Sequence, residues 1–106
     1  MADLAQVTEH IRGAVGDNSG LGKTVKIDLG DTGKIYIDGA SVPNSVTNED
    51  KPADLTLTMS KDDLLDIAAG RLDPTAAVMG GRIKLSDMML AMSLQPKMGA
   101  LFSKLA

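Results

Sequence analysis

The 106 residues carry a formal net charge of −3 at pH 7, which argues against nucleic acid as a partner, because phosphates are bound by clustered Lys and Arg side chains. No cysteine is present, so disulfides and thiolate metal sites are excluded, and a reducing cytoplasm is compatible with the sequence. No apolar run approaches the roughly 18 residues of a membrane-spanning helix, and the length predicts one domain over residues 1–106.

The first predicted element is a helix. Apolar residues recur at helical spacing over residues 4–15, and the stripe they form predicts an amphipathic helix that ends in a loop at 16–20. His10 is the single histidine and projects near the polar border of this stripe. Because the sequence offers it neither a cysteine nor a second histidine as partner, we interpret His10 as a solvent-edge residue and not as a catalytic one.

The segment Gly22-Lys23-Thr24 resembles the end of a phosphate-binding loop, but a structural interpretation is favoured. The motif requires a glycine five positions before Gly22, where Asp17 stands, and Gly16 misses that position by one. A phosphate loop also runs from a strand into a helix, whereas this segment runs from a helix into a strand. We therefore expect no nucleotide site here.

Strands are predicted next. Apolar and polar residues alternate over residues 25–29 and again over 35–37, which predicts two strands joined by a Gly-rich turn. A short edge strand is predicted near Ser41 or residues 45–46, because Pro43 is tolerated only at an edge or a bend.

Alternation returns in the C-terminal half and predicts a further strand. Leu55, Leu57 and Met59 share one side of an alternating segment, as expected for a strand with one buried face. Ser60 then occupies a helix N-cap position, and Asp63 completes the capping pattern three residues on. A strand that leads directly into a capped helix is therefore predicted.

Two short helices and a last strand follow. The first helix has its apolar side over residues 64–68 and ends at the next glycine. Asp73 and Pro74 begin the second helix, since Pro is tolerated at the first helical position, and a pair of glycines ends it. Ile83 and Leu85 alternate with charged residues and are predicted to face inward from the last strand.

The tail is rich in methionine, with five of the seven methionines in the last 28 residues. Residues 88–94 are apolar almost all the way round, so we expect this helix to be covered on most sides. Gln95 and Pro96 are predicted to break it, and a second, amphipathic helix is predicted over residues 98–105. Because Met is flexible and polarizable, the clustering favours an adaptable pocket over ordinary core packing.

Six stretches carry a pattern that can be compared with known families: residues 55–60, 64–65, 70, 73–74, 79–85 and 87–94. This pattern resembles the sterol carrier protein type 2 domain, specifically over the C-terminal half and in element order over the rest. One departure is Ser86, which stands where the family usually has a glycine before an aspartate. No residue of the pattern is catalytic, so the resemblance implies a fold and a pocket rather than a reaction.

The resemblance implies an α+β fold, in which a mostly antiparallel sheet of about five strands has helices packed on one face and encloses an apolar tunnel. It implies non-catalytic binding and intracellular transfer of a sterol, fatty acid or fatty acyl-CoA, without a cofactor or a metal. The side chains expected to line the tunnel, each with an alternative as ordinary core, are Leu57, Met59, Ile67, Met79, Ile83, Leu85, Met88, Met92, Met98, Leu101 and Phe102.

Two other classes of function stay open. A scaffold or interaction module without a natural small ligand would dock through its C-terminal amphipathic helix. An enzyme is the weaker alternative, since Asp62, Asp63 and Asp66 are expected on the solvent side of a capped helix, where the first two favour the helix dipole.

The expected partner is a lipid or fatty-acyl ligand, bound by a monomer that contacts membranes transiently without stable insertion. The tripeptide Ser103-Lys104-Leu105 spells the peroxisomal address, but that signal is read at the extreme C-terminus and Ala106 follows it. A cytoplasmic location is therefore predicted.

Overall fold

The strands form one mixed sheet, and side chains along them alternate between buried and more exposed positions. The computed structural model describes residues 4–16 and 20–103, apart from the side chains of residues 68, 74 and 98–103. In this part of the chain the sheet has five strands: β1 (Thr24–Asp28), β2 (Lys34–Asp38), β3 (Ser45–Thr47), β4 (Leu55–Thr58) and β5 (Lys84–Leu85). Their order across the sheet is β3-β2-β1-β4-β5. Only β1 and β4 are parallel neighbours within this described sheet, so the predicted mostly antiparallel sheet is confirmed.

The helices found in the same described ranges cover one face of the sheet, and they are α1 (Leu4–Val15), α2 (Lys61–Ala68), α3 (Pro74–Met79) and α4 (Met88–Ser103). The covered face is apolar, and its buried side chains on β1, β2 and β4 are Val25, Ile27, Ile35, Ile37, Leu55 and Leu57. The residues between them, such as Lys26 and Tyr36, are half-exposed. From α1, Val7 and Ile11 join the same core, which completes the predicted α+β fold.

The N-terminal elements occur where the sequence predicts them. His10 is exposed on α1, and β3 lies at an edge of the sheet, next to the exposed Pro43. The Gly22 N–H donates to the Gly39 carbonyl at 3.1 Å, so the Gly22-Lys23-Thr24 segment leads into a strand pair. The predicted run of that segment from a helix into a strand is confirmed.

The cap of α2 is confirmed, but Asp63 does not lie on the solvent side. Ser60 Oγ accepts a hydrogen bond from the Asp63 N–H at 3.1 Å. The Asp63 carboxylate accepts from the Arg82 guanidinium, and the residue is only 8% exposed. A buried carboxylate is tolerated when it is paired, and the pattern of one helix does not reveal a partner 19 residues away. The solvent-side prediction is therefore wrong for Asp63, while Asp62 is exposed as expected.

The helix α4 is continuous over 16 residues and contains Pro96, so the predicted break at Gln95 and Pro96 is wrong. Proline removes one intrahelical hydrogen bond, here the one to the carbonyl of Met92. Both Met92 and Pro96 are exposed, and the helix continues past the missing hydrogen bond. In the described ranges no helix combines the length and the apolar character needed to cross a membrane.

Hydrogen bonds outside the regular ladder fix the parallel pair of β1 and β4 at both ends. At the start, Asp54 Oδ2 accepts from the Thr24 N–H at 3.0 Å and from the Thr24 hydroxyl at 3.1 Å. At the other end, the Met59 N–H donates to the Asp28 carbonyl at 3.0 Å. The backbone hydrogen bond from Thr24, with the hydroxyl second, lowers the pKa of Asp54 below its ordinary value of 3.8.

Replacing Asp54 by Asn should make the free energy of unfolding less dependent on pH in acid. Because the pKa of Asp54 is lowered in the folded state, its ionised form stabilises the fold above pH 3.8, and this contribution is lost as the pH falls through the folded-state pKa. Asp54→Asn should therefore be less stable than the wild type at pH 7, and the difference should narrow between about pH 5 and pH 3. Urea unfolding at several pH values measures this slope.

A matched variant is Thr24→Val, which keeps a β-branched side chain but removes the hydroxyl that donates to Asp54. It should lose part of the same pH dependence, because the backbone N–H of residue 24 still donates to the carboxylate. If Asp54→Asn and the wild type had equal pH slopes, the stabilising role assigned to this carboxylate would be wrong.

Candidate functional site

A cavity of about 330 Å³ lies beside β4 and β5. Its floor is formed by the two strands and its walls by α3 and the first half of α4. The volume falls within the roughly 300–1,000 Å³ of sites that bind small molecules. The lining side chains are those of Leu55, Leu57, Met59, Thr75, Val78, Met79, Ile83, Leu85, Met88, Ala91, Met92 and Gln95.

The two strands place apolar side chains on the cavity floor. Leu55 and Leu57 lie on the inner face of β4, and Met59 follows at the next inward position. The antiparallel strand β5 pairs Leu85 directly with Leu57, and Ile83, two residues earlier, faces the same side. The floor is therefore made by the alternation that also builds the core.

Each wall is one face of a helix. Asp73 Oδ1 accepts from the Thr75 N–H at 3.1 Å and caps α3, which begins at Pro74 as predicted. The cavity face of α3 then carries Thr75, Val78 and Met79, three residues at helical spacing. The wall residues of α4 follow the same spacing over two turns and are Met88, Ala91, Met92 and Gln95.

The two polar lining side chains bind each other. Gln95 Nε2 donates to Thr75 Oγ1 at 3.2 Å, which joins α4 to α3. Both residues are exposed, so this contact lies at the rim of the cavity. None of the lining side chains in the described part of the chain is charged. An ionised group inside this cavity would therefore find no ion-pair partner among them.

Methionines surround the open side of the cavity. Met79 is 84% exposed, Met88 is 53% and Met92 is 65%, whereas Met59 on the floor is 5% exposed. The prediction that residues 88–94 are covered on most sides is therefore wrong. The helix α4 buries Leu94 in the core, and the space beside Met88 and Met92 is open cavity in place of packed protein.

Seven of the eleven side chains expected to line a tunnel line this cavity: Leu57, Met59, Met79, Ile83, Leu85, Met88 and Met92. Ile67 does not line it, and its side chain is buried in the core on α2, which packs near α4. Met98, Leu101 and Phe102 lie outside the side chains that the structure describes. A continuous tunnel, and a binding role for each of the eleven, stay predictions.

Five other lining residues are not among the eleven expected from the sequence, and they are Leu55, Thr75, Val78, Ala91 and Gln95. Leu55 carries the same alternation signal as Leu57. Ala91 lies three residues after Met88, and this helical spacing could have found it, whereas Val78 has no predicted lining methionine at that spacing. Thr75 and Gln95 have no apolar signal, so only the meeting of α3 and α4 reveals their position.

Comparison with known proteins gives a family match over most of the chain. Residues 9–98 match the model of the SCP-2 sterol transfer family. Among curated proteins, Sterol carrier protein 2 of Bos taurus is 43% identical over 58 residues, which make up 54% of this chain and 10% of the bovine protein. The matched region is therefore about a tenth of the length of the bovine protein and of the Sterol carrier protein 2 of Oryctolagus cuniculus.

Solved structures share the fold. The apo form of Sterol Carrier Protein 2 from Yarrowia lipolytica has a TM-score of 0.66 at 19% identity, covering 95% of this chain and 82% of that chain. The sterol carrier protein domain 2 of Helicoverpa armigera has a TM-score of 0.57 at 26% identity, covering 93% of this chain and 76% of that chain. The common architecture thus extends over nearly the whole chain.

Ser86, the one departure noted from the usual family pattern, joins β5 to β4. Its N–H donates to the Thr56 carbonyl at 3.0 Å, and its Oγ accepts from the Thr56 N–H at 2.8 Å. The next residue, Asp87, caps α4 by accepting from the Leu90 N–H at 3.1 Å. A glycine at position 86 could make the first hydrogen bond but not the second, so the serine side chain extends the pairing of a strand of two residues.

Replacing Ser86 by Ala should lower the free energy of unfolding, because the Thr56 N–H loses its acceptor. A hydrogen bond of this kind contributes about 0.5–1.5 kcal/mol, and each kcal/mol lowers the unfolding midpoint by about 4–8 °C in a domain near this size. Urea unfolding measures the loss, and hydrogen exchange should show faster exchange of the Thr56 amide.

The control is Ser93→Ala, which changes an exposed serine on α4. It should alter the free energy of unfolding by less than about 0.5 kcal/mol and leave the Thr56 amide as protected as in the wild type. Equal stability and equal Thr56 protection in Ser86→Ala and the wild type would show that the side-chain hydrogen bond does not hold β5.

Proposed function

The chain belongs to the SCP-2 sterol transfer family, and on that premise we propose that it binds and carries a lipid whose apolar part lies in the cavity between β4, β5, α3 and α4. The lipid is a sterol, a fatty acid or a fatty acyl-CoA, and it leaves chemically unchanged. The observation that carries the proposal is the composition of the cavity, since ten of its twelve lining side chains are apolar.

Burial of the ligand supplies the binding free energy. Each methylene moved from water into apolar contact contributes about 0.8 kcal/mol, so about ten methylenes contribute about 8 kcal/mol before the cost of association is subtracted. A net value of about 8 kcal/mol would correspond to a micromolar dissociation constant, and the cost of association lowers the net value below this. Flexible methionine side chains can repack around ligands of different shape, which supports a carrier with a broad range of ligands.

The charged end of the lipid stays at the mouth. A carboxylate or phosphate taken into the cavity would lose its hydration, and no charged side chain of the described lining replaces it. The rim offers the exposed Thr75 and Gln95 as polar neighbours. The apolar chain therefore enters first, and the head group remains in water beside the exposed methionines.

The proposal is for a carrier and not for an enzyme. Acid–base and nucleophilic catalysis need a titratable or activated group beside the ligand. The described lining offers the Thr75 hydroxyl and the Gln95 amide, which are engaged with each other. Transfer would take place inside the cell, as a cysteine-free composition allows, by a monomer that contacts membranes transiently.

An interaction module that docks through α4 is the second candidate. Met88, Met89 and Met92 are all more than half exposed, and grouped apolar side chains in solvent mark surfaces that bind partners. The two candidates differ in one measurable respect, because only the carrier binds a monomeric lipid saturably.

Met92→Glu should weaken lipid binding, because it places a charge on the cavity wall. Met92 is 65% exposed in the free protein, so the glutamate is hydrated until a lipid covers it. Burying a neutral polar group without a partner costs about 1–3 kcal/mol and a charged group costs more, so the dissociation constant should rise by at least about fivefold. Titration with a fluorescent long-chain fatty acid, followed by displacement with unlabelled fatty acid, acyl-CoA or cholesterol, measures the change.

Met89→Glu is the matched control, since Met89 is 82% exposed on the same helix and does not line the cavity. It should bind lipid as the wild type does, and both variants should keep the unfolding midpoint of the wild type. Failure of every lipid class to bind saturably would overturn the carrier proposal in favour of the interaction module. Equal weakening by both variants would place the lipid outside the cavity.

A further inference from the structure

Three methionines combine two properties that the other methionines with described side chains do not. Met79, Met88 and Met92 line the apolar cavity, and more than half of each is exposed. Met59 lines the cavity but is 5% exposed, and Met89 is 82% exposed but lies off the cavity wall. Among the methionines whose side chains the structure describes, these three are therefore the ones that a reagent in water can reach and whose modification would change the lining of the cavity.

We propose that Met79, Met88 and Met92 form a reversible oxidation site that controls lipid binding, with a hydroperoxide in the surrounding water as the oxidant. This inference rests on the proposed lipid binding and adds a regulation to the same site. The mouth of the cavity would then respond to peroxide while the buried floor stays reduced.

The reaction needs no catalytic group from the protein. A lone pair of the thioether sulfur attacks one oxygen of hydrogen peroxide, so that a sulfur–oxygen bond forms and the oxygen–oxygen bond breaks. The sulfur gives up two electrons and becomes a sulfoxide, and the departing oxygen leaves as water after proton transfer. Methionine sulfoxide reductases return the sulfoxide to methionine with electrons from thiols, so the change can be reversed.

A sulfoxide makes the cavity wall polar. Its oxygen is a strong acceptor that is hydrated in the free protein, because the three side chains are exposed. A bound lipid would remove that water, and the described lining offers side-chain donors only at its rim, on Thr75 and Gln95, where one Gln95 N–H is already donated to the Thr75 hydroxyl oxygen. An acceptor buried without a partner is costly, and we expect each sulfoxide in the wall to weaken lipid binding about fivefold to tenfold or more.

The same geometry predicts protection by the ligand. A lipid in the cavity would cover the inner side of Met79, Met88 and Met92, whereas Met89 does not line the cavity. Saturating lipid should therefore slow peroxide oxidation of the three rim methionines and leave the rate at Met89 unchanged. Met59 should be slow with or without lipid, since it is buried.

The test treats the purified chain with graded hydrogen peroxide, with and without a saturating long-chain fatty acid, and maps each sulfoxide by peptide mass spectrometry. The dissociation constant of a fluorescent fatty acid is measured before treatment, after it, and after repair by methionine sulfoxide reductases with dithiothreitol. We expect weaker binding after treatment and recovery after repair. Met79→Leu/Met88→Leu/Met92→Leu should keep its affinity after treatment, whereas the control Met89→Leu should lose affinity as the wild type does.

The outcomes separate this inference from the proposed function. Untreated chain that binds no lipid would overturn the proposed function itself. Untreated chain that binds lipid, with unchanged affinity once the three rim sulfoxides have formed, would overturn the oxidation site alone. The oxidation site would also be overturned if urea unfolding showed that treatment unfolds part of the chain and the loss of binding equalled that unfolded fraction. If the triple variant does not fold, lipid protection of the three methionines relative to Met89 decides the question in the unaltered chain.

Discussion

The parallel pairing of β1 with β4 determines which side chains can form the cavity. The strands β2 and β3 come between them in the chain but lie on the other side of β1. The strand β4 therefore pairs with β1 along one edge and with β5 along the other. The register sets Leu55 beside Val25 and Leu57 beside Ile27. A slip of one residue would turn both leucines to the opposite face, and the hydrogen bonds between Thr24 and Asp54 hold the pair against it.

The helices α3 and α4, which form the walls of the cavity, are positioned relative to β4 and β5 by a few contacts. The chain leaves β4 through the Ser60 cap, passes through α2 and α3, and returns as β5, which pairs with β4 over two residues. Such a short strand cannot fix two helices by its ladder alone. The Ser86 side chain extends the pairing, the Arg82 side chain binds Asp63 on α2, and the Gln95 amide joins α4 to α3. Apolar packing fills the core, while these polar contacts set where the walls stand around an unfilled space.

The sequence predicts the elements better than it predicts their surroundings, for physical reasons. Alternation and capping are local, so β4, its inward Leu57 and the Ser60 cap could be predicted from neighbouring residues alone. The exposure of Met88 depends on empty space beside α4, which no local pattern records. The burial of Asp63 depends on Arg82, and α4 continues through Pro96 despite the local helix-breaking signal. Each of these errors concerns an environment that only the folded chain defines.

The helix α4 packs on the core with one side and borders the cavity with another. Leu94 belongs to the buried core, whereas Met88 and Met92, on the same helix, face an open cavity and are mostly exposed. Exposed positions contribute little to the free energy of unfolding, so their side chains can change while the domain stays folded. In the proposed carrier, mutations at the cavity mouth can thus alter which ligand is bound without unfolding the domain. A fold arranged in this way can diverge in ligand preference through single substitutions, each of which leaves a folded intermediate for selection to act on.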